Sequence, residues 1–144
     1  MGSHHPNQAP IDKHLKEYEA AWKIGSVEDL MSFMSEDVSF SDFGVGVLDL
    51  NKAAMGAYFA KVFGSIDNLK ITTHSVNDQK TFTAWEWEVT FKYVKPVEEV
   101  AHEEIFRSEM ADGRTMYMVG VSLLWWNDKG KIVKKHDYSK TAAK

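Results

Sequence analysis

The chain contains no cysteine, so disulfide bridges, thiolate nucleophiles and cysteine-built zinc sites are all excluded. It also has no apolar run near the roughly 18 residues that a membrane-spanning helix needs. Its first ten residues lack the apolar stretch of a signal peptide. We therefore expect a cytoplasmic protein with no membrane partner, and the absence of cysteine fits that reducing compartment.

Excess positive charge is missing as well. The 17 lysines and arginines are scattered among 21 acidic residues, which gives a net charge of -4 and argues against nucleic-acid binding. No glycine-rich nucleotide loop and no Gly-x-Ser-x-Gly motif is present. His74 and His102 lack a second ligand at the spacing of a metal site. We expect neither a cofactor nor a metal.

The length of 144 residues favours one domain with a substantial core. Residues 1–5 read MGSHH, which is typical of an expression-tag remnant, so His4 and His5 are set aside as ligands. We expect residues 1–10 to be this remnant and a disordered start, residues 11–140 to form the domain, and residues 141–144 to be a tail.

The first half of the chain has the periodicity of helices. Gly25 is a plausible end for a first helix, whose apolar stripe comprises Ile11, Leu15, Tyr18 and Trp22. Ser26 can cap a short second helix that reaches Met34. Asn51 can cap a third, which Gly64 ends.

Alternating apolar residues predict strands in the rest of the chain. They span Val38–Phe43, Leu69–Val76, Thr81–Tyr93, Met116–Trp126 and Lys131–Tyr138, with a turn at Asn77-Asp78. The acidic segment from Lys95 to Gly113 breaks the pattern and could be a helical insert, a hairpin extension or a mobile flap. This order predicts an α+β fold, a mostly antiparallel sheet with helices on one face and a concave space for a small molecule.

That order, together with Tyr18, the stretch from Glu36 to Asp42 and the closing stretch from Asp128 to Ser139, resembles the SnoaL-like polyketide cyclases and ketosteroid isomerases. The resemblance covers residues 11–140. It implies a cone-shaped fold like that of nuclear transport factor 2, with three N-terminal helices packed on a strongly curved, mostly antiparallel sheet. It also implies a cofactor-independent isomerase, cyclase or dehydratase that transfers a proton beside a carbonyl of a hydrophobic polyketide-like or terpenoid-like substrate.

Several site residues follow from the same resemblance. The ketosteroid isomerases place a proton-shuttling aspartate at Asp42, an oxyanion-donating tyrosine at Tyr18 and a second donor at Ser122, whereas the polyketide cyclases place their base at Asp137. The resemblance therefore leaves two candidates for the base, Asp42 and Asp137. His136 neighbours Asp137 on one strand, so only one of them faces the pocket, and a register shift of one would make His136 the proton-transfer group.

Each of these residues also has a structural interpretation. Asp42 could cap the Gly44–Gly46 loop, and Tyr18 could be a core residue. The expected substrate-binding wall is aromatic apart from Ser122, and comprises Trp22, Phe40, Phe59, Trp85 and Trp87. The same indoles could fill a core or a dimer interface.

Two functions therefore remain. One is an enzyme acting on a small hydrophobic molecule, and the other is a non-catalytic ligand-binding or homodimeric association domain. An exposed aromatic sheet face would be a liability for a monomer, so we expect a homodimer formed through the sheet.

Overall fold

The computed structural model describes residues 9–94 and 113–143 of the chain. Its helices are α1 (Ala9–Ile24), α2 (Val27–Met31) and α3 (Lys52–Ser65). Its strands are β1 (Met34–Asp42), β2 (Val47–Leu50), β3 (Ile66–Gln79), β4 (Phe82–Tyr93), β5 (Met116–Trp126) and β6 (Ile132–Ala143). The predicted α+β class is confirmed, while the expected tag remnant, His102 and residues 95–112 lie outside the described residues.

The helix boundaries follow from the predicted capping residues. Gly25 has a positive φ of 75°, which glycine adopts without strain, and it ends α1. The Ser26 side chain accepts a hydrogen bond from the Asp29 backbone N–H at 3.1 Å, and Asn51 Oδ1 accepts one from Ala54 at 3.0 Å. The second helix was predicted too long, because it ends at Met31 and the chain has already entered β1 at Met34.

One sheet contains all six described strands in the order β2-β1-β6-β5-β4-β3. Every neighbouring pair is antiparallel except β1 and β6, which run parallel in the middle of the sheet. The parallel register makes Asp42 and Asp137 direct Cα partners. Two carboxylates that are far apart in the sequence are therefore neighbours on adjacent strands.

Two features of the strands differ from the sequence prediction. The predicted turn at Asn77-Asp78 is wrong, because β3 runs on to Gln79 and the chain reverses over the next two residues. The Asp78 side chain does not form a turn. It accepts a cross-strand hydrogen bond from Thr83 Oγ1 at 2.6 Å within the sheet. The short strand β2 was not predicted, since it follows a glycine-rich turn and has only four residues.

The core lies between the helices and the aromatic face of β4. Trp85 and Trp87 on that face are 3% and 9% exposed, because α1 and α3 cover them. The aromatic face is therefore interior, and the reason given above for a dimer through an exposed aromatic surface does not hold. Helix residues packed in the same cluster include Leu15, Tyr18, Ala21, Met55, Tyr58 and Phe59.

A glycine on β5 lets Trp87 lie flat across the neighbouring strand. Gly120 is the Cα partner of Trp87, and a Cβ at Gly120 would come within 2.7 Å of the indole and 2.6 Å of the Tyr138 carbonyl oxygen. Carbon atoms do not approach that closely without displacing the backbone or the ring. Gly120 therefore leaves the space that the Trp87 indole occupies.

We expect Gly120→Ala to lower the free energy of unfolding by about 1–3 kcal/mol, because the added methyl group overpacks this contact. Gly56→Ala is a matched control: its Cβ would meet Met31 at an ordinary 3.7 Å, and alanine favours the helix by up to about 1 kcal/mol. Urea denaturation of the two variants measures both effects. Equal stability of the two variants would contradict the assignment.

Candidate active site

A cavity opens between the helices and the concave face of the sheet. Its volume is about 130 Å³, which leaves room for a small molecule. Its polar side chains gather near β1, β5 and β6 and comprise Asp42, Tyr58, Ser122, Lys135, Asp137 and Ser139. Most of its apolar lining comes from β3 and β4, so the cavity has a polar end and an apolar end.

A buried ion pair forms the base of the polar end. Lys135 Nζ lies 2.9 Å from Asp137 Oδ1, and the lysine side chain is 1% exposed. The two residues are two apart on β6, so they share its inner face. Burial alone would lower the pKa of Lys135, but the adjacent Asp137 charge outweighs it and raises that pKa above its usual range. Lys135 is therefore held as a cation inside the protein.

Ser122 connects this ion pair to β4. Its hydroxyl donates to Asp137 Oδ1 at 2.8 Å, and its oxygen accepts from Trp87 Nε1 at 3.0 Å and from Lys135 Nζ at 3.3 Å. The serine proton is thus directed to Asp137 and not into the cavity. Ser122 is on the cavity wall as predicted, yet its geometry does not match the oxyanion donor that the resemblance implied.

Asp42 is the second carboxylate of the polar end. It accepts a hydrogen bond at Oδ2 from Tyr58 Oη and one at Oδ1 from the Gly44 backbone N–H, each at 3.0 Å. Burial, assisted by the negative charge of Asp137, raises the pKa of Asp42 to about 6, and the bond from Tyr58 opposes that rise. The contact with Gly44 is the loop cap that the sequence allowed. Asp42 also lines the cavity, so a ligand bound there can reach its carboxylate.

Tyr58 keeps its proton beside this carboxylate. Burial first, and then the neighbouring Asp42 charge, raise the pKa of Tyr58 well above its usual range. Its hydroxyl therefore stays a hydrogen-bond donor throughout the neutral pH range. The contact orients the Asp42 carboxylate from α3, on the side opposite the Gly44 loop.

The remaining predicted site residues fall into three groups. Trp22, Phe59, Trp85 and Trp87 line the cavity. Tyr18 and Phe40 are fully buried next to the cavity wall but are not part of it. His136 lies on the opposite face of β6, with its ring 5.1 Å from Trp125 and 5.2 Å from Phe43, and so it is outside the cavity.

Comparison with known proteins agrees with this architecture. Residues 15–135 match the family model of the SnoaL-like domain. The chain belongs to the SnoaL-like domain family. It is 35% identical over 113 residues to the cyclase aurE of Calcarisporium arbuscula, an alignment that covers 78% of this chain and 74% of aurE.

Two solved structures show the same fold at low sequence identity. The BvnE pinacolase of Penicillium brevicompactum superposes with a TM-score of 0.74 at 8% identity, covering 96% of this chain and 88% of BvnE. A protein of ketosteroid isomerase-like fold from Catenulispora acidiphila superposes with a TM-score of 0.67 at 14% identity. This superposition covers 87% of the present chain and 83% of the other protein. The family and fold that the sequence predicted are therefore confirmed. Membership of the SnoaL-like family and the cyclase relative support an enzyme of the cyclase or isomerase type.

Three polar residues of this SnoaL-like site, Lys135, Tyr58 and Ser139, were missed by the sequence reasoning. Lys135 could have been found from strand periodicity, because any register that places Asp137 in the cavity places Lys135 there too. Tyr58 lies within the predicted third helix, where no local pattern sets it apart as a site residue. Its contact with Asp42 spans 16 residues and depends on the packing of α3 over β1.

Within residues 9–94 and 113–143, no three His, Asp or Glu side chains come together as a metal-binding group. The same part of the chain contains no helix long and apolar enough to cross a bilayer.

We expect Lys135→Met to lower the free energy of unfolding at pH 8 by about 3–5 kcal/mol, because it leaves the Asp137 charge buried without a partner. Acid neutralises an unpaired buried carboxylate and removes this cost. The destabilisation should therefore grow as the pH rises and be smaller at pH 5. Urea denaturation at both pH values measures it.

The control variants separate charge from packing. Lys134→Met changes the exposed neighbour on the outer face of β6, where the lysine lies 4.6 Å from the Trp125 ring centroid, and should cost about 1 kcal/mol or less. Lys135→Met combined with Asp137→Asn should recover most of the lost stability, since no buried charge remains. A single Lys135→Met variant no less stable than Lys134→Met would refute the ion pair as a structural element.

Proposed function

We propose that the chain is a cofactor-independent enzyme that transfers a proton beside a carbonyl group of a hydrophobic, oxygen-bearing small molecule. The reaction class is isomerisation, cyclisation or dehydration of a polyketide-like or terpenoid-like substrate. The single observation that carries the proposal is the environment of Asp42, a carboxylate with a pKa raised to about 6 inside an apolar cavity. A base whose pKa lies near the working pH is the most effective at proton transfer.

The proposal gives different roles to the two carboxylates. Asp137 is tied to Lys135 at 2.9 Å and accepts from Ser122, so it serves as a fixed negative charge. Asp42 has no cation in hydrogen-bond contact among the described residues, and its pKa is raised in part by Asp137. Carboxylates whose surroundings separate their proton affinities are typical of acid–base sites. Asp42 is accordingly the proton-transfer group.

The proton transfer balances without any added reagent. Asp42 takes a proton from the carbon next to the carbonyl, and the electron pair of the broken C–H bond moves onto the carbonyl oxygen. Protonated Asp42 then returns the proton to another atom of the substrate. The apolar end of the cavity holds the hydrocarbon part of the molecule, and the name of the cyclase relative supports ring closure as the outcome.

Hydrogen exchange gives a test that needs no knowledge of the natural substrate. In D₂O, the protein should speed the incorporation of deuterium beside the carbonyl of flat hydrophobic ketones, followed by NMR. The kcat/KM for exchange should rise with pH through about 6, because Asp42 must lose its proton to act as a base. Asp42→Asn should lower the rate by about 10²- to 10⁴-fold.

Two further variants should shift this pH profile in opposite directions. Tyr58→Phe removes a hydrogen bond that lowers the pKa of Asp42, so the rise should move to higher pH. Asp137→Asn removes a charge that raises the pKa of Asp42, so the rise in rate should move to lower pH.

Exchange that survives Asp42→Asn unchanged would reject Asp42 as the base. If the wild-type protein binds such ketones but does not speed deuterium exchange, the alternative function, a non-catalytic ligand-binding domain, would be favoured.

We also propose that the outer face of the sheet forms a homodimer. Three apolar side chains are exposed there: Phe43 by 44%, Val119 by 39% and Tyr138 by 43%. Phe43 stacks on Tyr138 with ring centroids 4.8 Å apart, which makes a flat apolar surface. Such a surface favours a second copy of the chain as its partner.

Val119→Glu should convert this dimer to a monomer, because it replaces one of the exposed apolar side chains of this face with a charge. Val76→Glu is the control, since Val76 is 42% exposed but is the Cα partner of Trp85 on the other face of the sheet. Sedimentation velocity distinguishes the two. A wild-type protein that sediments as a monomer would reject the proposed interface.

A further inference from the structure

One hydroxyl group on the cavity wall is left without a protein partner. The polar end of the cavity has six polar side chains, which are Asp42, Tyr58, Ser122, Lys135, Asp137 and Ser139. The first five are engaged with one another or with the backbone through hydrogen bonds and the ion pair. Ser139 Oγ forms no hydrogen bond with any group of residues 9–94 and 113–143. A hydroxyl both donates and accepts, and here both capacities are free for a ligand.

Ser139 belongs to the inner face of β6. It follows Lys135 and Asp137 at every second residue, and side chains at that spacing share one face of a strand. Lys135 and Asp137 are 1% and 8% exposed, whereas Ser139 is partly exposed. Its Cα partner on β5 is Gly120, which adds no side chain beside it. Of these three residues of β6, Ser139 is therefore the most accessible to a ligand in the cavity.

The Gly44 loop places this hydroxyl next to the Asp42 carboxylate. A Cβ at Gly44 would overlap Ser139 Oγ and would come within 3.3 Å of Asp42 Oδ1. The two oxygens thus lie around one methyl-sized position, which stays clear because residue 44 is glycine. A ligand oxygen bound to Ser139 would bring the carbon beside it within reach of Asp42.

We propose that Ser139 donates a hydrogen bond to the carbonyl oxygen of the substrate and so holds the adjacent C–H group against Asp42. This role rests on the function proposed above and names the group that orients its substrate. The other two hydroxyls of the polar end are committed, since Tyr58 donates to Asp42 and Ser122 donates to Asp137.

The same hydrogen bond acts during the reaction. As Asp42 takes the proton, the electron pair of the C–H bond moves onto the carbonyl oxygen, and Ser139 keeps its own proton throughout. A hydrogen bond to a charged oxygen is stronger than one to a neutral oxygen. Ser139 therefore stabilises the transition state more than the bound ketone.

The charges near Ser139 also narrow the substrate class. Ionised Asp42 adds a negative charge to a polar end where the Lys135 cation is already paired with Asp137. A carboxylate or phosphate group on the substrate would be repelled there. An uncharged ketone, aldehyde or ester fits the site, with its hydrocarbon part against the apolar lining from β3 and β4.

Binding of 1-indanone and indane tests the contact without catalysis. The two probes share one ring system, and only 1-indanone carries a carbonyl oxygen. Ser139→Ala should weaken the binding of 1-indanone by about 3- to 10-fold, as expected for the loss of one uncharged hydrogen bond, and leave the binding of indane unchanged. NMR titration of each ligand measures both affinities.

Deuterium exchange into 1-indanone tests the contact during the reaction. Ser139→Ala should lower kcat/KM for exchange by about 10- to 100-fold, because the lost hydrogen bond is then to a charged oxygen. The pH at which the rate rises should stay that of the wild type, since Ser139 does not bind the Asp42 carboxylate. A variant that only disturbed the packing around Asp42 would move that pH.

Thr141→Val is the matched control. It removes a hydroxyl two residues further along the same face of β6, outside the cavity lining, and should change neither binding nor exchange. Ser139→Ala should also keep the urea midpoint of the wild type, because its hydroxyl has no hydrogen bond to lose. A lower midpoint would show that Ser139 has a structural partner and would overturn the proposal.

The outcomes separate this inference from the proposed function. An equal loss of 1-indanone and indane, or no loss of either, would overturn the role of Ser139 even if exchange depends on Asp42. A loss confined to 1-indanone while exchange survives Asp42→Asn would uphold the oxygen contact and reject the proposed base.

Discussion

A lysine and an aspartate on the inner face of one strand can be removed from water together only if each neutralises the other. On β6 that condition is met by Lys135 and Asp137, 2.9 Å apart in the middle of the sheet. Ser122 on β5 and Trp87 on β4 continue the same hydrogen-bonded chain. The polar end of the cavity is therefore attached to three adjacent strands, and its geometry is as rigid as the sheet.

The ion pair also determines what the neighbouring carboxylate can do. Because Lys135 pairs with Asp137, the parallel register of β1 and β6 places an ion-paired carboxylate beside Asp42. Burial and this charge together favour the protonated form of Asp42 up to a pH of about 6. Tyr58 donates a hydrogen bond that limits the rise. One carboxylate is thus held in an ion pair, and the other can change its charge near neutral pH.

Strand periodicity and helix caps were enough to predict most of the fold, since Gly25, Ser26 and Asn51 act where their side chains indicated. The same alternation put Asp137 and His136 on opposite faces of the strand, and the family resemblance favoured Asp137 for the inner one. What the sequence could not supply were relations between distant strands. The parallel pairing that joins Asp42 to Asp137, and the contact from Tyr58, depend on tertiary packing with no local signal. The prediction of a turn at Asn77-Asp78 was wrong because these residues can also occupy an exposed strand.

The charges at the polar end bear on the choice between an enzyme and an association domain. A buried ion pair contributes little net stability, and apolar residues of similar volume in its place are often as stable or more so. A domain that only bound a hydrophobic ligand or a second copy of the chain would function equally well with apolar residues in place of the ion pair. Here the cavity holds Asp42, Lys135 and Asp137 together. Asp42 can take up a proton, and the Lys135 cation can stabilise the negative charge that its removal creates on a ligand, a combination that favours catalysis.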